Sequence, residues 1–253
     1  MHLHSRDVQV LELLADRRVE TLAVLQEKLW PGCARKSAYN RLGQLARAGY
    51  LEHLVRPDPV PRPSAHRRPS QHLYILGPKA PTAMRIRNRD TRKLAARRMP
   101  AAYIDHQLAT NRVGDWLGTR LLGEMEVSAG QDSRFRADAG YRAAQEVSGR
   151  DLVLVEVDLG HYSRTRILAK IEGFKQHPQA RGVLFACPTD ERAKNVSAWI
   201  SERYGTGFMR RCQVFSFREL QNHPRLEPGT TPRLAPPENI DWYEQIMGPA
   251  GCQ

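Results

Sequence analysis

Three acids and one lysine stand close enough in this chain to do chemistry together: Asp138, Glu156, Asp158 and Lys170. Glu156 and Asp158 are two apart in the apolar run LVLVEVDLG. Strand alternation puts both carboxylates on one face and turns Val155 and Val157 to the other. Asp138 lies in the preceding segment RFRADAGYR, which a hairpin would lay across from them. Three carboxylates at one sheet edge are hard oxygen ligands, suited to Mg²⁺ or Mn²⁺. Without a cation they would repel one another. Lys170 falls on the next helix, at the margin of an inward stripe of Ile167, Ile171 and Phe174. From there an ammonium could reach a metal-bound water or a scissile phosphate. The competing reading is an acidic hairpin edge paired with Arg134, Arg136, Arg142 or Arg166. His161 and Tyr162 follow the acidic strand and could touch a phosphate, or could simply form a polar turn.

The frame for these residues reads as an antiparallel start and a crossover finish. A helix is expected over 101–122. Strands follow at EMEVSA (124–129), RFRADAGYRA (134–143) and DLVLVEVDLG (151–160), the last two joined by a turn at Ser148-Gly149. Asp138 is then near the middle of its strand. A helix over 163–176 with Ser163 as N-cap, a buried strand RGVLFACP, a helix over 191–205 and a strand CQVFSF complete the sheet. His106 and Asn111 interrupt the apolar faces of the 101–122 helix. They are either satisfied core polarity or groups supporting the acid site from behind.

The first third of the chain has a different character. Helices are expected over 5–15 with Ser5 as N-cap, from Thr21, and over ARKSAYNRLGQLARAGYL, ended by Gly49. Tyr39, Leu42 and Leu45 form the buried stripe of the third. Two strands follow, LEHLV and HLYIL, around the proline-rich tip RPDPVPRPSAHRRPSQ. Three helices and a hairpin is the order of a winged helix-turn-helix. The third helix turns Arg35, Lys36, Ser37, Asn40, Arg41 and Gln44 outward, all base- or phosphate-contacting types. Arg62, Arg67 and Arg68 at the hairpin tip suit phosphates or a minor groove.

Charge supports a polyanionic partner. The net charge is +12 and the pI about 10. Twelve basic residues fall between Arg56 and Met99, opposed only by Asp58 and Asp90. That concentration describes a dedicated basic surface. No apolar run is long enough for a membrane span, and the four scattered cysteines suggest neither a zinc site nor a disulfide framework. A cytoplasmic setting is expected. No phosphate-loop, HExxH or GxSxG motif appears.

The acids and lysine resemble the PD-(D/E)xK nuclease superfamily. Asp138 corresponds to its first acid, with Ala137 in place of the usual proline, and Glu156 to its second. Asp158 stands where the family lysine belongs, and Lys170 corresponds to a lysine that has migrated to the following helix. A resemblance over more of the chain is to the replication-relaxation family of bacterial plasmids and integrative elements. It is carried by His106, Leu108, Asn111 and Val113 on one helix, by ADAGYR, and by VEVDLGHYSRTRILAKIEGF. It implies a DNA-binding protein of replication, relaxation or mobilisation.

The expected architecture is thus a winged helix-turn-helix (1–78), a basic connector (79–100), a restriction-endonuclease-like mixed-sheet domain (101–220) and a proline-rich tail (221–253). The expected partner is double-stranded DNA, with replication or mobilisation proteins and a second copy of the chain as candidates. Two functions stay open: a Mg²⁺- or Mn²⁺-dependent endonuclease or nickase, and an inactive DNA-binding regulator whose nuclease-like domain serves dimerisation or partner binding. A ligand-sensing transcription factor is a weaker third.

Overall fold

The fold mixes helices with two sheets. A computed structural model describes residues 1–57, 70–84, 101–127, 136–147 and 150–222. Arg62, Arg67 and Arg68, most of the basic connector, the Ser148-Gly149 turn and nearly all of the proline-rich tail lie outside the described residues. The chain divides into two units, Met1–Asn111 and Arg112–Gln253.

The first unit begins with α1 (Ser5–Arg17), β1 (Val19–Thr21), α2 (Leu22–Leu29) and α3 (Arg35–Arg47). Then come β2 (Leu51–Pro57), β3 (Ser70–Leu76) and α4 (Ala80–Met84). The cap of α1 is His4 rather than Ser5, with the His4 amide donating to Asp7 Oδ2 at 2.7 Å. Thr21 caps α2 through its side chain, as its spacing predicts. Gly49 adopts a left-handed φ of 82°. Its N–H donates to Ala46 O, and the Tyr50 N–H to Leu45 O. That double bond closes α3 and feeds the chain into β2.

The three strands form an antiparallel sheet of order β1-β3-β2. β1 is too short to announce itself in the sequence. One face of the sheet packs Leu51, Tyr74 and Leu76 with Leu11, Leu14, Leu25, Leu42 and Leu45. The other packs Val19 and Leu73 against Ile104. Tyr39 departs from the expected stripe: it is 40% exposed, and Ala38 takes the buried place. A helix row that meets a neighbour closely accepts alanine more readily than tyrosine.

Ile104 belongs to α5 (Ala101–Leu117), and the division between the units falls within this helix. The second unit continues with β4 (Leu122–Gly123), α6 (Glu124–Val127), β5 (Ala139–Val147), β6 (Arg150–Val157) and α7 (Arg164–Lys175). It ends with β7 (Ala180–Cys187), α8 (Asp190–Tyr204), β8 (Cys212–Ser216) and α9 (Phe217–Asn222). EMEVSA was expected as a strand, but its first four residues are helical and only Leu122–Gly123 pair in the sheet. The Glu126 carboxylate accepts from the Gly123 N–H at 2.8 Å, a local bond that favours the turn over an extended run.

The sheet order is β4-β5-β6-β7-β8. β4, β5 and β6 are antiparallel neighbours; β7 and β8 join in parallel. Leu152 and Leu154 of β6 pack with Ile167, Ile171 and Phe174 of α7 and with Val196 and Ile200 of α8. Alternation therefore carries Glu156 to the same helix-covered side.

Candidate active site

Asp138 sits one residue before β5, not in the middle of a strand. Ala139 is opposite Val155, so Asp138 falls opposite Glu156. Its Oδ2 accepts from the Val157 N–H at 2.8 Å, which fixes the carboxylate against the end of β6. Glu156 is fully buried. Neither of its oxygens receives a well-directed hydrogen bond, although the Lys170 ammonium lies against Oε1 as an ion pair. Lys170 also donates to the Arg136 carbonyl at 3.4 Å. It stands on the α7 turn between Ile167 and Ile171, both buried, which sets its stem along the sheet.

The electrostatics follow from that packing. Burial pushes the Glu156 carboxyl well above the ordinary carboxylate range, and the Asp138 charge pushes it further. The Lys170 ammonium opposes both without outweighing them. A buried acid with poorly satisfied oxygens, a second acid across from it and a cation beside it form a prepared charge site.

Asp158 does not join this group. It is fully buried too, but its oxygens are already occupied. Oδ1 accepts from the N–H groups of Gly160 at 2.8 Å and Tyr162 at 3.4 Å. Oδ2 pairs with Arg192 Nε at 2.6 Å. Gly160 has φ 89°, the left-handed conformation that lets the chain fold back over its own aspartate. Arg192 belongs to α8 and also donates to the Tyr162 carbonyl. Its guanidinium rests over the Trp199 ring at 5.0 Å. Asp158 thus acts as the anchor of the 158–162 turn. Among the described residues no three His, Cys, Asp or Glu side chains gather as a metal-holding group. Two hard carboxylates remain, enough for an ion that completes its shell with water.

Of the arginines that could have neutralised the acids, Arg134 lies outside the described residues, and the other three have contacts of their own. Arg142 pairs with Asp151, and Arg136 with Glu124 at 3.5 Å. Arg166 lies over the Tyr162 ring, 4.2 Å from its centroid, and Lys170 Nζ is 5.2 Å from the same ring. Burial raises the Tyr162 phenol pKa, and the Glu156 and Asp138 charges raise it further. Arg192 escapes sequence reading because its partner is 34 residues away.

Asn111 belongs to the first unit and has a structural task there. Its amide donates to the carbonyls of Val19 at 2.8 Å and Arg17 at 3.1 Å, and its oxygen accepts from Gln107 at 3.1 Å. That is satisfied core polarity, which fastens α5 to β1. His106 lies on the same helix, and its carbonyl accepts from the Thr110 hydroxyl at 2.9 Å.

On α3, Arg35, Lys36, Ser37, Asn40 and Gln44 are exposed. Arg41 is not part of that free row. Its Nε donates to Asp7 Oδ1 at 2.8 Å, its second nitrogen pairs with Oδ2, and its third donates to Gln44 Oε1 at 2.8 Å. Asp7 is only 1% exposed, so this is a buried pair. Burial raises the Asp7 pKa, but the bonds from Arg41 and the His4 amide outweigh it and leave it lowered. Arg47, exposed in the last turn of α3, extends the basic row.

The replication-relaxation family model matches residues 11–183, more than half of the chain. The chain belongs to the replication-relaxation family. The matched span contains α3 of the first unit and Asp138, Glu156 and Lys170 of the second. No curated protein and no solved structure matches this replication-relaxation protein. Among the described residues no helix is long and apolar enough to cross a membrane.

Proposed function

We propose that this protein binds double-stranded DNA through a winged helix in its first unit and cuts a phosphodiester bond at Asp138, Glu156 and Lys170. In this reading it serves the replication, relaxation or mobilisation of a plasmid or other mobile element, as its family name suggests. The observation that carries the cleavage reading is the Lys170 ammonium against a fully buried Glu156 that stands opposite Asp138 in strand register. Burying a carboxylate beside a second one is costly even with an ammonium against it, and such sites often serve a ligand or reaction. The order α5, β4, α6, β5, β6, α7, β7, with β4 to β6 antiparallel and β7 parallel, supports a likeness to PD-(D/E)xK nucleases.

Asp138 and Glu156 would hold Mg²⁺ or Mn²⁺. A bound divalent ion would supply an acidified water and neutralise phosphate charge. The chain's own residues do the rest. Asp138 is fixed by the Val157 amide, so its lone pairs are oriented before any ligand arrives. In hydrolysis, water adds to phosphorus, the bond to one bridging oxygen breaks and the released oxygen takes up a proton. Lys170 would stabilise the negative charge that grows on phosphate oxygens in that step.

For DNA binding, the β1-β3-β2 sheet behind three helices and the exposed row on α3 support the winged-helix reading. Arg35, Lys36, Ser37, Asn40 and Gln44 would face DNA, joined by Arg62, Arg67 and Arg68 of the hairpin tip. Arg41 would hold the recognition helix in place.

A second reading has an observation of its own. Asp158 occupies the position of the nuclease lysine and is tied to Arg192, so the site gathers only two acids. An inactive nuclease-like domain serving dimerisation or partner docking is consistent with that. Incubation of supercoiled plasmid with Mg²⁺ or Mn²⁺ separates the two. Open circles that disappear in Asp138→Ala and Glu156→Ala support the enzyme; binding without cleavage in any metal supports the regulator.

A further inference from the structure

We propose that Tyr162 and Arg166 form a phosphate-binding arm beside the acid pair, which receives a non-bridging oxygen of the nucleic-acid backbone. This rests on the reading of Asp138, Glu156 and Lys170 as a phosphodiester site, and it assigns two residues which that reading leaves unused.

The turn from Asp158 to Tyr162 is built to hold one side chain still. Asp158 accepts from the Gly160 and Tyr162 amides, and Arg192 ties that carboxylate and the Tyr162 carbonyl to α8. Tyr162 is half-buried against the second unit's core. Its ring carries two cations, the Arg166 guanidinium at 4.2 Å and the Lys170 ammonium at 5.2 Å. Glu156 and Asp138 are near enough for their charges to act on its hydroxyl. Among the described residues that hydroxyl has no hydrogen-bond partner.

Each part has a chemical consequence. A phenol kept protonated is a neutral donor, which can bond a phosphate oxygen without adding negative charge to an acidic site. A guanidinium held over an aromatic ring face can still offer N–H groups outward, and their fork matches phosphate geometry. The Arg166 side chain is exposed and rests over this ring, while its backbone N–H serves the Ser163 cap. The same ring restrains Lys170, so Tyr162 is also a positioning residue for the lysine.

The test uses the full chain with ¹³C-labelled tyrosine and the dinucleotide thymidylyl-thymidine, in Ca²⁺ to prevent turnover. The Tyr162 ring signal is identified by its loss in Tyr162→Phe. It should shift on titration, with affinity about tenfold weaker in Arg166→Gln, the loss of one charge-assisted hydrogen bond. The uncharged methylphosphonate analogue should leave it unmoved. An unmoved signal with the charged dinucleotide, or equal shifts with both, overturns the proposal. Plasmid nicking keeps the two ideas apart. A shift without nicking leaves the arm standing and removes the nuclease reading. Nicking undiminished in both Tyr162→Phe and Arg166→Gln overturns the arm and leaves the nuclease reading intact.

Discussion

Lys170 of α7 meets Glu156 of β6 as an ion pair in which the acid is fully buried and the lysine side chain is 14% exposed. The pair joins a helix to the strand it covers at the point where Asp138, just before β5, approaches the end of β6. Desolvation dominates its energetics, since the Glu156 pKa is raised despite the neighbouring ammonium. Such an arrangement costs stability and keeps a charge site ready.

Glu156→Gln should therefore stabilise the protein at alkaline pH. In the unfolded chain the carboxyl ionises in its ordinary range, whereas the folded state holds its proton to higher pH. Stability falls as pH rises from the unfolded pKa towards the folded one, and glutamine removes that loss. The gain in Tm should be larger at pH 8 than at pH 5. Thermal melts at the two pH values check it; a larger gain at pH 5 would reverse the assigned sign.

Arg41→Ala should destabilise the first unit by about 3 kcal/mol, because it leaves Asp7 buried without its partner. The lowered Asp7 pKa makes this contribution largest above the carboxylate range and lost as pH falls through it. Arg35→Ala and Lys36→Ala should leave the melt unchanged and weaken DNA binding, each reducing the salt slope by about one unit. Denaturation curves and salt-dependent anisotropy separate the two kinds of arginine. A stable Arg41→Ala protein would show the pair to be idle.

Asn111→Ala should cost about 1–3 kcal/mol by removing the two buried amide bonds to the Arg17 and Val19 carbonyls. Its effect should stop at stability. Divalent-ion affinity measured below the melt should match the parent protein; a drop in affinity would tie Asn111 to the site after all.

Much of this was legible in the chain because it is local. The N-cap threonine at Thr21, the αL glycine at Gly49, the Ser163 cap and the β6 alternation each depend on neighbours a few residues away. Placing Lys170 on α7 needed only helical spacing. What escaped reading depends on distant partners. Asp158 looks like a third ligand until Arg192 arrives from α8, and Arg41 looks outward until Asp7 arrives from α1. Tyr39 reads as core by its apolar ring, yet it is Ala38 that is buried. The two-residue strand β4 is defined by its pairing with β5, which no local pattern encodes.

On the proposed function, Asp138 and Glu156 hold the ion and Asp158 anchors the 158–162 turn. Calorimetric titration of Mn²⁺ into the full chain and into Asp138→Asn, Glu156→Gln and Asp158→Asn tests it most directly. The account predicts one site, weakened about tenfold or more in the first two variants as a direct ligand is lost, and retained in Asp158→Asn. No Mn²⁺ binding by the parent protein, or a loss in Asp158→Asn as large as in Glu156→Gln with its melt unchanged, would contradict it.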